Sequence, residues 1–170
     1  MSSSSSTNNA IANVEFPEKI TSNFLREIFD EQKKYVDYFF TNLDHSLVEQ
    51  FTKIVLDCKG LIFLTGMGKS GIIARNISQM LVSVGIRAMY MSPVDALHGD
   101  VGVMTSKDVL VLLSKSGQTS ELINLIPAVR NKKVFVVAVV SNPDGQLAHL
   151  SDVSIHLPLQ KELCPFDMAP

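Results

Sequence analysis

The sequence lacks several features that mark well-known classes of protein. Among its 170 residues there is no tryptophan, and the only cysteines are Cys58 and Cys164. Because these two are widely spaced and lack both a CxxC partner and a histidine at metal-ligand spacing, a reduced compartment is the simpler interpretation. The formal net charge is −2, and no cluster of lysines and arginines suggests a basic face. Nucleic acid is therefore not predicted as a partner.

Long hydrophobic runs and targeting signals are also missing. The longest apolar runs are the length of strands and too short to cross a bilayer, so we predict no membrane partner. The first ten residues, MSSSSSTNNA, are polar and have neither the charged region nor the apolar core of a secretory signal. Glu15 and the lack of arginine before Arg26 argue against a transit peptide. We predict a disordered tail over residues 1–16, one domain over residues 17–170 and a cytoplasmic location.

What is present is a regular alternation of helical and strand patterns. Two amphipathic helices are predicted over residues 17–40 and 44–57. Five apolar strand patterns then alternate with helical ones, and they cover residues 61–65, 87–91, 108–113, 134–140 and 153–157. Because the strands are nearly continuous in valine, leucine and isoleucine, we predict a doubly wound α/β fold in which a five-stranded parallel sheet is covered on both faces. Ligands of such sheets bind beyond the carboxyl ends of the strands.

A glycine-rich segment, GMGKSG, follows the first predicted strand and precedes a helical pattern that opens at Ile72. A strand, a glycine turn and a helix N-terminus in that order favour an anion, and Gly66, Gly68 and Ser70 are the candidate contacts. The segment also fits the GxGxxG pattern of dinucleotide-binding domains, but the acid that should follow the second strand is missing there. A P-loop is excluded because Phe63 stands where the first glycine is needed. An NAD(P)-binding Rossmann domain stays as an alternative.

A second candidate segment, SKSGQTS, follows the third predicted strand. It places four hydroxyls within seven residues around Gly117, contributed by Ser114, Ser116, Thr119 and Ser120. Hydroxyls and backbone N–H groups at a helix start can surround a phosphomonoester. The alternative is a cluster of helix caps, for which serine and threonine are favoured in any case. One hydroxyl would suffice for a cap, so we interpret the segment as a binding loop. In the flavodoxin-like strand order it would face the same crevice as GMGKSG.

Four motifs in order give the sequence a family resemblance. GMGKSG, ALHGDVG, SKSGQTSEL and ELCPFDMAP resemble the sugar isomerase (SIS) domain of arabinose 5-phosphate isomerases, over nearly the whole chain from the first helices onward. The resemblance implies interconversion of D-arabinose 5-phosphate and D-ribulose 5-phosphate through an enediol, with no cofactor. It also implies a homo-oligomer, in this family a tetramer. The alternative within the same fold is a noncatalytic module that binds a sugar phosphate.

The resemblance also implies roles for particular residues. Lys69, Glu121 and Glu162 match positions that are important for catalysis in the family. Isomerisation needs a base beside the reacting carbons and a group that stabilises the enediolate oxygen. His98 and the loop from Ser114 to Thr119 match substrate contacts. The residues predicted to bind substrate are Gly66, Gly68, Ser70, His98, Ser114, Ser116, Gly117 and Thr119.

The sequence departs from the family pattern in two ways. Ser92 and Ile72 stand where the family commonly has histidines, so we predict no metal site. The family also continues past the final Ala-Pro with another helix, a further histidine and usually a pair of CBS domains. We therefore expect a truncated form in which sugar-phosphate binding survives weakly and turnover is reduced or lost.

Overall fold

The computed structural model describes residues 20–162. The contacts divide these residues into two units, one of residues 20–42 with 158–162 and the other of residues 43–157. The predicted tail over residues 1–16 lies outside the described residues, and so does Cys164. Within the described part of the chain, no helix combines the length and the apolar character that crossing a membrane requires.

The first unit contributes one long helix, α1 (Ser22–Asn42), which confirms the first predicted amphipathic helix over its described residues. None of its residues is buried, and Phe29 and Phe40 are 61% and 63% exposed. Lys161 in the same unit lies 3.9 Å from the Glu31 carboxylate. The helix therefore carries a large apolar surface that remains accessible.

The second unit is a parallel sheet with helices on both faces. Its helices and strands are, in chain order, α2 (His45–Asp57), β1 (Ile62–Gly66), α3 (Gly68–Ser83), β2 (Ala88–Tyr90), α4 (Pro93–Leu97), a 3₁₀ turn (Asp100–Val103), β3 (Val109–Ser114), α5 (Ser120–Asn131), β4 (Phe135–Val140), α6 (Gln146–Leu150) and β5 (Val153–His156). The strand order is β2-β1-β3-β4-β5, and every neighbouring pair is parallel. The predicted doubly wound α/β fold with five parallel strands is confirmed.

Two apolar layers explain why the strands lack an alternation of apolar and polar residues. Successive side chains of a strand point to opposite faces of the sheet. Phe63 and Leu112 pack on one face with α4, α5 and α6, whereas Leu64 and Val111 pack on the other with α2 and α3. Since both faces are covered, every strand position favours an apolar residue.

Some details of these elements differ from the prediction. Helix α3 begins at Gly68 rather than Ile72, so Lys69 lies in its first turn. The helical pattern over residues 121–130 leaves a kink or an early end at Pro127 open, and helix α5 continues to Asn131, because Leu125 and Val129 are completely buried on either side of the proline and anchor both halves. The unbroken apolar pattern of the fourth strand predicts complete burial from residue 134 onward, but the strand begins at Phe135, which is 39% exposed.

Two carboxylates accept hydrogen bonds at the starts of elements in this unit, one before α2 and one before β1 and β3. The hydroxyl and backbone N–H of Ser46 donate to Asp44 at the start of α2, and these hydrogen bonds hold the pKa of Asp44 below its ordinary value. Asp108 was predicted as the first residue of the third strand, but it precedes β3 and is 6% exposed. Its carboxylate accepts from the backbone N–H of Leu61 at 2.6 Å and from that of Thr105 at 2.6 Å. The Asp108 side chain therefore links the residue that precedes β1 to the turn that precedes β3.

We predict that Asp108→Ala lowers the free energy of unfolding by about 2 kcal/mol, because the part-buried N–H groups of Leu61 and Thr105 lose a charged acceptor. Asp57→Ala is the matched control, since Asp57 is exposed and should change stability by less than about 0.5 kcal/mol. Urea unfolding followed by circular dichroism measures both variants. Equal unfolding midpoints for the two would contradict the role given to Asp108.

Candidate functional site

The end of β1 and the start of α3 approach each other so closely that two positions require glycine. A Cβ at Gly66 would lie 2.8 Å from the backbone carbon of Ser70, and a Cβ at Gly71 would lie 2.5 Å from the carbonyl oxygen of Gly66. Gly68, the first residue of α3, has a positive φ of 56°. The glycines thus let the first turn of the helix press against the end of the strand.

This first turn presents an exposed cation. Lys69 is exposed and Ser70 is half-buried, and the first turn of α3 contains no acidic residue. Met67 occupies the N-cap position, and its side chain makes no capping hydrogen bond. The positive end of the helix dipole and the Lys69 ammonium therefore reinforce each other in favouring an anion.

The hydroxyl loop, residues 114–120, is held by its own side chains. Ser114 is 4% exposed, its hydroxyl lies 2.8 Å from that of Thr119, and it accepts from the backbone N–H of Gly117 at 3.1 Å. Ser116 is exposed and its oxygen accepts from the N–H of Gln118 at 3.2 Å. The loop is therefore closed around Ser114 and presents Ser116 to solvent.

The helix that follows this loop starts without a side-chain cap. Thr119 is at the N-cap position of α5 but makes no capping hydrogen bond. The simple capping role that the sequence left open is therefore not the role of Thr119. A helix N-terminus without a cap leaves N–H donors for another acceptor. Glu121 in the first turn is half-buried and accepts from the Ser120 hydroxyl at 3.0 Å.

A third segment, the turn over residues 141–145, supports the hydroxyl loop. The carbonyl of Lys115 accepts from the N–H groups of Ser141 and Asn142, and that of Gly117 accepts from the N–H of Leu147. Gly117, with φ 65°, packs directly on Gly145, where a Cβ would lie 2.7 Å from the Gly117 Cα. The sequence of this segment, SNPDG, predicts an ordinary turn. Its support of the hydroxyl loop depends on the contact between Gly117 and Gly145 and on the strand order, and neither is a local sequence pattern.

Strand pairing brings the two candidate loops to the same place. Gly66 at the end of β1 is paired with Leu113, the residue before Ser114 at the end of β3. Both loops therefore leave adjacent strands at the carboxyl edge of the sheet, the position at which ligands bind in such folds.

The remaining predicted residues, His98 and Glu162, belong to neither the glycine loop nor the hydroxyl loop. His98 is exposed at the C-cap of α4, followed by Gly99 with a φ of 132°. Glu162 is buried, but it belongs to the other unit, so its catalytic role stays a prediction. Within residues 20–162, no three histidine, cysteine or acidic side chains are grouped so that they could hold a metal ion.

The sequence is similar to those of several curated proteins over most of this chain. The chain is 38% identical over 151 residues to an uncharacterized protein of Chlamydia pneumoniae, covering 89% of this chain and 46% of that protein. It is 35% identical over 154 residues to the arabinose 5-phosphate isomerase KpsF of Escherichia coli O6:H1, covering 91% of this chain and 46% of KpsF. The chain thus spans about half the length of these curated relatives.

A solved structure supports the same relationship. An E. coli CFT073 protein in complex with arabinose 5-phosphate superposes with a TM-score of 0.80 at 26% identity, over 87% of this chain and 78% of that one. Residues 55–166 match the family model described as SIS domain. Because this match covers more than half of the chain, and because the sheet order and the two loops agree with the predicted sugar-isomerase fold, the protein belongs to the SIS domain family.

Proposed function

We propose that the chain binds a pentose 5-phosphate at the carboxyl edge of the sheet and interconverts D-arabinose 5-phosphate and D-ribulose 5-phosphate. The observation that carries the proposal is the pairing of the glycine loop with the hydroxyl loop on adjacent strands. The phosphate is assigned to the hydroxyl loop, where Ser116 is exposed and α5 starts without a side-chain cap. The KpsF relative and the relative solved with arabinose 5-phosphate support this substrate class.

The chemistry requires two kinds of group at the sugar end. Moving a proton between C2 and C1 needs an acid/base residue, and the enediolate oxygen needs a positive charge. Lys69 is exposed at the positive end of α3 and is proposed to stabilise that oxygen. Glu121, half-buried beside the hydroxyl loop, is proposed as the acid/base residue, and His98 as a contact to a sugar hydroxyl. Glu162 is a second candidate base on the strength of the resemblance. No step requires a redox cofactor.

The homo-oligomer implied by the resemblance is supported by an apolar stripe on α3. Ile72 and Met80 on the helix are 61% and 69% exposed and are eight residues apart, and Val84 at the C-cap, four residues farther on, is 72% exposed. Exposed stripes of this kind favour association. We therefore include a self-association surface in the proposal.

Thermal-shift measurements separate the ligand classes. We expect D-arabinose 5-phosphate and D-ribulose 5-phosphate to raise the melting temperature, and free arabinose to leave it unchanged because it lacks the phosphate. Stabilisation by NAD or NADP alone would mean that the chain is a dinucleotide-binding domain and that the isomerase proposal is wrong.

The support that the 141–145 turn gives to the hydroxyl loop predicts the effect of a single methyl group. Gly145→Ala places a Cβ against Gly117 and the Ser116 carbonyl, so it should displace the loop and weaken pentose-phosphate binding by roughly tenfold, the equivalent of one charge-assisted hydrogen bond. Gly102→Ala is the control, since nothing lies within 4 Å of a Cβ there. Isothermal titration calorimetry measures both. If Gly145→Ala binds the sugar phosphate with unchanged affinity, the hydroxyl loop is not part of the binding site.

Turnover is tested by exchange of the C2 proton of arabinose 5-phosphate in heavy water, followed by NMR. If the chain is catalytic, Glu121→Gln should lower the exchange rate by about 10²–10⁴ and still bind the sugar phosphate. Glu49→Gln, on the exposed surface of α2, is the matched control and should leave the rate unchanged. Binding without exchange in the unmodified chain would instead identify a noncatalytic sugar-phosphate module.

A further inference from the structure

One buried hydroxyl next to the glycine loop has no protein partner. Thr65 is 0% exposed and is the residue before Gly66 in β1. Its Oγ1 makes no hydrogen bond within the described chain. Because a buried polar group normally finds a partner, this hydroxyl calls for a specific explanation.

The strand register places Thr65 on the same face of the sheet as the hydroxyl loop. Phe63 and Leu112 belong to the same apolar cluster, and side chains alternate along each strand, so Thr65 and Ser114 both point to that face. Thr65 is paired with Leu112, which puts Ser114 two residues farther along the neighbouring strand. The two hydroxyls are thus diagonal neighbours.

The separation of these neighbours suits one intervening water molecule. With strands about 4.8 Å apart and a rise of about 3.3 Å per residue, the two Cβ atoms lie roughly 8 Å from each other. This is too far for a direct hydrogen bond. Two O–H···O hydrogen bonds of about 2.8 Å each, made through a single water, span a separation of this order when the two hydroxyls turn toward each other.

Ser114 has one hydrogen-bonding position left for such a water. A hydroxyl offers one donor and two acceptor positions. The Ser114 oxygen accepts from the Gly117 N–H, and a second position is used with the Thr119 hydroxyl. The third position is the one that a water could fill.

We propose that a buried water joins Thr65 Oγ1 to Ser114 Oγ and makes Thr65 a positioning residue of the hydroxyl loop. Thr65 donates to the water, and the water donates to Ser114. Since Ser114 then accepts from both the water and Gly117, its own proton goes to the Thr119 oxygen. The Thr119 proton is thereby directed outward, toward a phosphoryl oxygen. This last step rests on the proposed function, and the bridge itself does not.

The experiment compares two substitutions that separate stability from hydrogen bonding. Thr65→Val keeps the shape of the side chain but removes the hydroxyl, whereas Thr65→Ser keeps the hydroxyl and removes a buried methyl group. We expect Thr65→Val to weaken binding of inorganic phosphate and of D-arabinose 5-phosphate by about three- to tenfold, as for one lost hydrogen bond. Thr65→Ser should unfold at lower urea concentration and yet bind both ligands as the unmodified chain does.

Ser78→Ala is the control for loss of a buried hydroxyl elsewhere, because Ser78 is also 0% exposed but donates to the Arg75 carbonyl within α3. The proposal is overturned if Thr65→Val binds both ligands normally, or if affinity simply follows the unfolding midpoint across the variants.

A high-resolution crystal structure tests the bridge without any ligand. Density for a water within hydrogen-bonding distance of both oxygens supports the proposal, and its absence overturns it. If the unmodified chain binds neither ligand, the proposed function fails while the crystal structure still decides on the bridge.

Discussion

The parallel pairing of β1 with β3 is the constraint on which the candidate site depends. Since the two strands are adjacent and run in the same direction, the loops that follow them emerge side by side at one edge of the sheet. The sheet itself is stabilised by an apolar layer on each of its two faces. Such a division lets the loops carry polar groups and close backbone contacts that a core would not tolerate.

The glycines and the hydroxyls of these loops have complementary functions. Gly66 and Gly71 bring a helix terminus against the end of a strand, which places the positive end of α3 at the carboxyl edge of the sheet. The hydrogen bonds of Ser114 with Thr119 and Gly117 hold the second loop before any ligand arrives. A loop that is already ordered loses less conformational entropy on binding, and this favours affinity for a small anion.

Most of the fold could be predicted from the sequence because the strand patterns are short, strongly apolar and separated by helical periods. The position of both candidate loops followed from the order of these elements. The start of α3 at Gly68 could not be predicted, because the first turn of the helix lacks the apolar residues that indicate a helical pattern. The hydrogen bonds of Asp108 could not be predicted either, because one of its donors, Leu61, lies 47 positions away in the sequence. Contacts of that kind depend on the tertiary arrangement and leave no local pattern. The separation of Glu162 into another unit was equally invisible in the sequence.

The contact between Gly117 and Gly145 has a consequence for how related sequences can vary. With two backbones touching where side chains would otherwise stand, the loop after β3 and the loop after β4 share one surface. A side chain at either glycine would displace the other backbone, so a substitution at one position requires an adjustment at the other. Side chains should be tolerated more readily elsewhere, for instance at Gly102, where a Cβ would meet open space. The turn after β4 thus restrains the conformation of the loop it supports, although no ligand contact is assigned to it.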